Sequence, residues 1–173
     1  MATLGGIVFT AILVGAAIGD LRSRRIPNRL VAVLAVLGLA FSFAQDPGVS
    51  GLVRGGGGLI AGLAFWLPFY ALGWLGAGDV KLFGAAGAWL GPLQAAEGAL
   101  IGALFGAVLS LIWMMKSRGV RDTAVTLGMA ASSPGLLAPS TQEKARRSTM
   151  PYGIAIAFGA ICAGWLPGLL FRS

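Results

Sequence analysis

The sequence has no histidine, one cysteine and few charged residues, and each shortage excludes a class of protein. The single cysteine, Cys162, cannot form a disulfide within the chain and is expected to be a buried packing residue. Without histidine, the usual zinc sites are absent too, so we expect neither a metal nor a cofactor. Charged residues make up 11% of the chain, against about 25% in average soluble proteins, which argues against a soluble domain.

Apolar residues and glycine fill the chain instead. Hydrophobic residues make up 57% of it, and the mean hydropathy is +0.83. Glycine occupies 28 of the 173 positions, about twice its ordinary share of about 7%. Several glycines recur four residues apart within apolar runs, as at Gly58 and Gly62 and at Gly98, Gly102 and Gly106, which is typical of closely packed membrane helices. The composition predicts an all-α, polytopic membrane protein.

Six apolar segments are candidates for transmembrane helices, each of which needs about 20 residues to span a bilayer. They lie at about 3–19, 30–44, 55–74, 80–93, 95–115 and 152–171. The fourth is short. Residues 116–150 are polar and rich in proline and serine, so they are predicted to form a loop. We expect residues 1–173 to form a single transmembrane domain.

The basic residues predict the orientation of these helices. Of thirteen, eleven fall on one side of a six-helix arrangement, and only Arg54 and Arg172 fall on the other. The positive-inside rule makes the basic side cytoplasmic, with both termini external. The net charge of +7 is thereby explained by topology, and nucleic acid is not expected as a partner.

Two aspartates lie at the predicted cytoplasmic helix ends, Asp20 in AAIGDLRSRRIPN and Asp79 in LGAGDVKLFG. Two carboxylates on different helices at one depth predict an aspartyl dyad. One ionised carboxylate can take a proton from water while its protonated partner donates a hydrogen bond to a scissile carbonyl. Such a pair shares a proton and titrates as a unit. Gly76 and Gly78, beside Asp79, would let a substrate backbone come close.

Structural roles are the alternative for both aspartates. Asp20 could be an interfacial charge paired with Arg24, and Asp79 could pair with Lys81 or Arg25 at a helix end. The other four acidic residues are expected to lie in or near loops and to have ordinary roles. They are Asp46, Glu97, Asp122 and Glu143.

Three motifs resemble those of the type IV prepilin peptidases, a family of membrane aspartyl proteases. GAGDVKL resembles the family's GxGD motif, GDLRSRRIPN resembles its first motif, and MPYGIAIAFGA resembles the segment that opens its last helix. GxGD alone is weak evidence, because presenilin-type proteases also carry it. Three motifs in the family's order, spread from residue 20 to residue 160, make a specific resemblance.

The resemblance implies a role for each motif residue. Asp20 and Asp79 would be the catalytic pair, Gly76 and Gly78 the motif glycines, and Lys81 a charge near the site or an anchor of the helix end. The remaining motif residues would shape the turn into the second helix or line the site from the last helix. These are Pro27 and Asn28 for the turn, and Pro151, Tyr152 and Gly153 for the lining.

The resemblance also implies a function: removal of a short basic leader from a small prepilin at the cytoplasmic face of the bacterial inner membrane. The chain has no CxxC motif and only two residues before the first predicted helix, so we expect the peptidase-only branch of Flp-type pilus systems, without an N-terminal methyltransferase domain. Pilus-assembly proteins and the bilayer are the other expected partners. Two alternatives stay open: a small proton- or cation-coupled transporter, and a non-catalytic subunit of a pilus or secretion assembly.

Overall fold

The computed structural model describes residues 3–23, 27–118, 152–166, 168 and 170. These residues form six α-helices and contain no β-strand, which confirms the predicted all-α fold. The helices are α1 (Thr3–Ser23), α2 (Asn28–Gln45), α3 (Val49–Ala71), α4 (Ala77–Leu90), α5 (Pro92–Arg118) and α6 (Tyr152–Trp165). Most of the predicted loop at 116–150 lies outside the described residues, and its first three residues continue α5.

Four of these helices, α1, α2, α3 and α5, are long and apolar enough to cross a membrane. Helix α6 is apolar but has only 14 residues, and α4 also has 14. The outer surface of the bundle carries many exposed large apolar side chains, such as Leu4, Val36, Ile60 and Leu104. Such a surface suits lipid rather than water, in agreement with the predicted polytopic membrane protein.

Helix α4 lies at the centre and, with 14 residues, is shorter than the four helices that are long enough to cross a membrane. It packs against α2, α3, α5 and α6, and every residue from Leu82 to Leu90 is buried. A helix that is apolar on all sides is normally enclosed by others. The first turn of α4, which carries Asp79, emerges at the end of the bundle where α1 ends and α2 and α6 begin.

Glycine lets the helices around α4 approach it closely. A Cβ atom added at Gly58 of α3 would run into the carbonyl oxygen of Gly87 of α4, and a Cβ at Gly87 would run into that of Gly58. Gly98 of α5 and Gly159 of α6 face each other in the same way. The small-residue packing predicted from the sequence is therefore confirmed.

Polar contacts inside the bundle hold α2 against α4. The indole Nε1–H of Trp89 donates to the carbonyl oxygen of Leu34 at 2.8 Å, and the Ser42 hydroxyl donates to that of Ala88 at 2.8 Å. Gly38 leaves room for the indole, since a Cβ there would lie 2.5 Å from Trp89 Cδ1. Buried polar groups that are paired in this way fix one register between two helices.

Two helix boundaries differ from the predicted ones for a tertiary reason. Helix α3 begins at Val49 rather than 55, because Gly51 and Gly55 pack against Ser42 of α2 and so favour helix where glycine alone does not. Helix α4 begins at Ala77, so that Asp79 lies within its first turn and not before it.

The opposite end of the bundle holds a buried acid that the sequence analysis treated as ordinary. Glu97 of α5 is 1% exposed, and its carboxylate accepts hydrogen bonds from the backbone N–H groups of Gly168 (3.2 Å) and Leu170 (2.5 Å). These contacts hold Gly168 and Leu170, which follow α6. The helix itself ends at Trp165, whereas the sequence predicted a segment that continues to 171. Cys162 is half-buried, so it is less enclosed than predicted.

Candidate active site

Asp20 lies near the end of α1, against the beginning of α6. Its side chain is 8% exposed, and its Oδ2 accepts a hydrogen bond from the backbone N–H of Gly153 at 3.2 Å. Gly153 is the second residue of α6. The N–H groups of a helix's first turn have no acceptor within the helix, and that end carries a partial positive charge. The beginning of α6 therefore both orients the Asp20 carboxylate and favours its ionised form.

A side chain at position 153 would displace the Asp20 carboxylate. A Cβ atom there would lie 2.7 Å from Oδ2 of Asp20 and 3.2 Å from its Cβ and Cγ. These atoms belong to a buried side chain on another helix, so they have little room to move. The absent side chain allows the carboxylate to reach the backbone N–H.

Asp79 is held by the first turn of its own helix. Gly76 is the residue that precedes α4, and its backbone N–H donates to Asp79 Oδ2 at 3.3 Å. In return, the backbone N–H of Asp79 donates to the carbonyl oxygen of Gly76 at 3.1 Å. An acid at this helical position is favourable in many proteins. This contact would by itself account for an acid at position 79, so the structural alternative stays open.

The hydrogen bond from Gly76 does not by itself describe the electrostatic environment of Asp79. Burial raises the pKa of Asp79, and the negative charge of Asp20 raises it further, to about 7, although the Gly76 N–H acts in the opposite direction. The two carboxylates thus lie near enough to repel each other. With a pKa near 7, Asp79 holds a proton in a large share of molecules at neutral pH.

Neither aspartate has an ion pair within the described part of the chain. Lys81 is exposed and lies two residues after Asp79, which places it about 200° around the helix and on nearly the opposite face. The predicted alternative of an Asp79–Lys81 pair therefore does not form here. Arg24 and Arg25, the other predicted partners, lie outside the described residues.

The remaining motif residues that the structure describes lie at the beginnings of α6 and α2. Tyr152 begins α6, and its hydroxyl shares a hydrogen bond of 2.9 Å with the Ser110 hydroxyl of α5. Pro27 precedes α2 and Asn28 begins it; both are exposed, and no hydrogen bond joins either to an aspartate. The structure thus brings Gly153 to Asp20 and Gly76 to Asp79. Pro151 lies outside the described residues.

Ser110 is a contributor that the sequence analysis missed. Its contact with Tyr152 ties the beginning of α6 to α5, one residue before the N–H that holds Asp20. The sequence does contain a signal: Ser110 continues the four-residue spacing of Gly98, Gly102 and Gly106 on α5. The same face packs against α6, since Gly106 approaches Tyr152 and Ala155.

The chemistry of the site is that of two carboxylates. Among the described residues, no three side chains of the metal-binding types lie together. Two interacting carboxylates, with Asp20 buried and Asp79 partly buried, and nearby exposed glycine backbone suit general acid–base catalysis on a peptide bond.

The sequence model of the type IV leader peptidase family matches residues 7–111. That range covers more than half of the chain and includes Asp20 and Asp79. The chain belongs to the type IV leader peptidase family. Helix α6, with Gly153, lies beyond the matched residues of this family member, so its contact with Asp20 is an observation of the structure alone.

Several curated proteins resemble this leader peptidase family member. A prepilin leader peptidase/N-methyltransferase of Pectobacterium carotovorum subsp. carotovorum is 35% identical over 136 residues, which cover 73% of this chain and 47% of the relative. Proteins of the same name from Legionella pneumophila (35% over 133 residues; 73% and 46%) and Xanthomonas campestris pv. campestris (33% over 129 residues; 72% and 45%) are also similar. The chain spans a little under half the length of these relatives. No solved structure matches it.

Proposed function

We propose that this protein is a membrane aspartyl endopeptidase that removes the leader from a type IV prepilin, with Asp20 and Asp79 as its catalytic pair. The observation that carries the proposal is the arrangement of the two carboxylates. They come from different helices, interact electrostatically and lack ion pairs among the described residues. Family membership and relatives that are named prepilin leader peptidases support the reaction and the substrate class.

The reaction follows from the shared proton of the pair. The ionised carboxylate takes a proton from a water molecule, whose oxygen forms a bond to the scissile carbonyl carbon. The protonated carboxyl donates to the carbonyl oxygen and stabilises the charge that develops there. The C–N bond then breaks as the proton taken from water passes to the leaving nitrogen. The hydrogen bonds from the backbone N–H groups of Gly153 and Gly76 would orient the carboxylates of Asp20 and Asp79 for these transfers.

The substrate would approach over the beginning of α4. Gly76 and Ala77 are exposed and carry little or no side chain, so an extended peptide could lie close to Asp79. Exposed basic residues surround this end of the bundle, among them Arg22, Arg29 and Lys116. By the positive-inside rule this end faces the cytoplasm of a bacterial inner membrane. A prepilin with a cytoplasmic leader and an apolar segment in the bilayer, such as a Flp-type prepilin, would present its cleavage site at this depth.

A co-expression experiment tests the proposal. The protein is produced together with a Flp-type prepilin, and trimming of the precursor is followed by its gel shift. We expect wild type to trim it and Asp20→Asn and Asp79→Asn to leave it intact at normal membrane abundance. Asp46→Asn is the matched control, because Asp46 is an exposed acid at the other end of the bundle.

The outcomes separate the alternatives. Trimming by well-expressed Asp20→Asn and Asp79→Asn variants would show that the aspartates are structural charges. Failure of Asp46→Asn along with the other two would trace the loss to folding and not to the dyad. If wild type trims no prepilin from a panel that includes longer type IV precursors, the prepilin-peptidase function is wrong, and the transporter and assembly-subunit alternatives gain support.

A further inference from the structure

An apolar groove lies between α2, α3 and α4, on the side of α4 away from Asp79. Its cavity volume is about 300 Å³. Val31 and Ala35 of α2 form one wall, Leu59 and Leu63 of α3 form the other, and Gly84 and Ala85 of α4 form the floor. The groove is open along one side of the bundle.

Helices α2 and α3 pack closely near their connection, and the groove lies further along both helices. At the connection, Gly51 and Gly55 of α3 lie against Ser42 and Leu39 of α2, with no space between the helices. Toward the other end, larger residues replace these glycines on α3, and the floor residues on α4 are small. The groove therefore lies toward the end of the bundle where α2 and α4 begin.

Polar groups line the groove at that end and nowhere else along it. Asn28 is the first residue of α2, and Lys81 lies in the second turn of α4. The Lys81 side chain is exposed and forms no ion pair with any residue that the structure describes. A long apolar space that ends at an ammonium and an amide group is complementary to a molecule with a hydrocarbon chain and an anionic head.

The size of the groove favours a slender chain over a protein helix. An α-helix with side chains is about 10 Å across and rises about 5.4 Å per turn, so that one turn occupies about 400 Å³. The whole groove is smaller than that. Part of a hydrocarbon chain, which is much thinner than a helix, could lie along it.

We propose that this groove binds one acyl chain of an anionic phospholipid, and that Lys81 and Asn28 contact the phosphate of its headgroup. Basic pockets between transmembrane helices bind anionic headgroups in other proteins, and a lysine near a helix end extends its ammonium group to that depth. The bound lipid fills the gap between α2 and α3 and braces α4 on the face opposite Asp79. This site is separate from the dyad, and the proposal does not depend on the peptidase activity.

Lipid titration of the purified full-length protein tests the proposal. Bound lipids are counted by native mass spectrometry in detergent with phosphatidylglycerol and, separately, phosphatidylcholine of the same acyl chains. We expect wild type to bind one phosphatidylglycerol more tightly than phosphatidylcholine. Lys81→Gln should weaken phosphatidylglycerol binding about fivefold and leave phosphatidylcholine binding unchanged, because it removes a single cationic contact.

A second variant tests the acyl-chain part of the site. Ala32 lines the groove and is exposed, so Ala32→Phe should block the groove without disturbing the core and should weaken the binding of both lipids. The matched controls are Val33→Phe, next to it but outside the groove, and Lys116→Gln, an exposed lysine at the same end on α5. Neither control should change the binding of one phosphatidylglycerol molecule. Thermal unfolding checks that all four variants fold.

Four results would overturn the proposal. The first is equal binding of the two lipids by wild type, which indicates non-specific boundary lipid. The second is an effect of Lys81→Gln no larger than that of Lys116→Gln, and the third is an effect of Ala32→Phe no larger than that of Val33→Phe. Purification of a partner protein that Ala32→Phe releases and lipid does not displace would equally overturn it, in favour of a docked helix.

Discussion

The two ends of the bundle treat their acidic residues differently. At the end where α2 and α3 connect, Asp46 forms an ion pair with Arg54 at 3.2 Å, and the buried carboxylate of Glu97 accepts two backbone N–H groups. At the other end, Asp20 and Asp79 accept one backbone N–H each and have no ion pair among the described residues. The first pair is well satisfied, whereas the second is placed so that its members repel each other.

This difference is the one expected between structural acids and catalytic acids. A buried carboxylate stabilises a fold when hydrogen bonds replace the water it has lost. A second carboxylate nearby adds repulsion, and that cost persists only where the surrounding structure enforces it, most often at functional sites. We therefore expect opposite effects at the two ends of the bundle. Changes to Asp20 and Asp79 should alter activity, and changes to the acids at the other end should alter stability.

The largest expected effect is on activity at the dyad. Asp20→Asn and Asp79→Asn each remove a group that must gain or lose a proton, so the rate of prepilin cleavage should fall about 10²- to 10⁴-fold. The measurement is a time course of cleavage in detergent or vesicles with purified enzyme. Because asparagine retains an acceptor for the backbone N–H, thermal unfolding of both variants should stay close to that of wild type. A large loss of stability with normal activity would mean that Asp20 and Asp79 are structural acids and not catalytic ones.

A smaller loss of activity is expected from Gly153→Ala. The new Cβ would lie 2.7 Å from Asp20 Oδ2 and would push the carboxylate off the N–H of α6. Since a displacement of about 1 Å can cost about 100-fold in rate, we expect a loss of about 10- to 100-fold in kcat with a smaller change in KM.

Gly106→Ala is the matched control for Gly153→Ala. Gly106 lies on α5 and approaches the beginning of α6, the helix that carries Gly153, but its Cβ would meet its nearest neighbour, the Cβ of Ala155, at 3.4 Å, an ordinary contact. Equal losses from both variants would mean that any methyl group added near the beginning of α6 lowers the rate, so that the orientation of Asp20 would not explain the effect of Gly153→Ala.

The pH dependence of cleavage should report the raised pKa of Asp79. Its value of about 7 lies above the ordinary 3.8, so the carboxyl keeps its proton up to neutral pH and loses it above. The form of the dyad with one proton is then lost as pH rises through 7, and kcat/KM should fall about tenfold per pH unit above that point. Asp46→Asn should leave this limb of the profile in place. A flat profile between pH 6 and 9 would show that Asp79 does not supply the proton.

The fold class, and the closeness of the two aspartates, could be predicted because their signals are local in the sequence. Apolar segments define the helices, and Asp20 and Asp79 stand out as rare charges at the ends of such segments. The three motifs added the family, which the match over residues 7–111 supports. Whether the two aspartates catalyse peptide hydrolysis stays a prediction for the experiments above.

Contacts between distant segments could not be predicted. The bond from Gly153 to Asp20 joins residues 133 positions apart, and that from Leu170 to Glu97 joins residues 73 apart. Glu97 lies a few residues into α5, where a sequence pattern alone does not distinguish an acid that faces the bundle from one that faces outward. The early start of α3 was missed for a similar reason, because the packing of Gly51 on α2 outweighs glycine's low helix propensity.

The smallest expected effect is the loss of stability in Glu97→Gln. The N–H groups of Gly168 and Leu170 bond to different carboxylate oxygens, so the amide can accept from only one of them, and that remaining bond loses the charge that strengthens it. We expect a loss of about 1–3 kcal/mol in the free energy of unfolding, which corresponds to about 2–4 °C in Tm per kcal/mol. The measurement is thermal unfolding in detergent.

The cleavage rate of Glu97→Gln, measured well below its Tm, decides whether the two ends are independent. Glu97 holds the segment that follows α6, whereas the beginning of α6 holds Asp20. If the carboxylate only fastens that segment, the rate should stay within about twofold of wild type, since distant sites normally act additively. A loss as large as that of Gly153→Ala would mean that α6 transmits a change from one end to the other, so that Glu97 also positions Asp20.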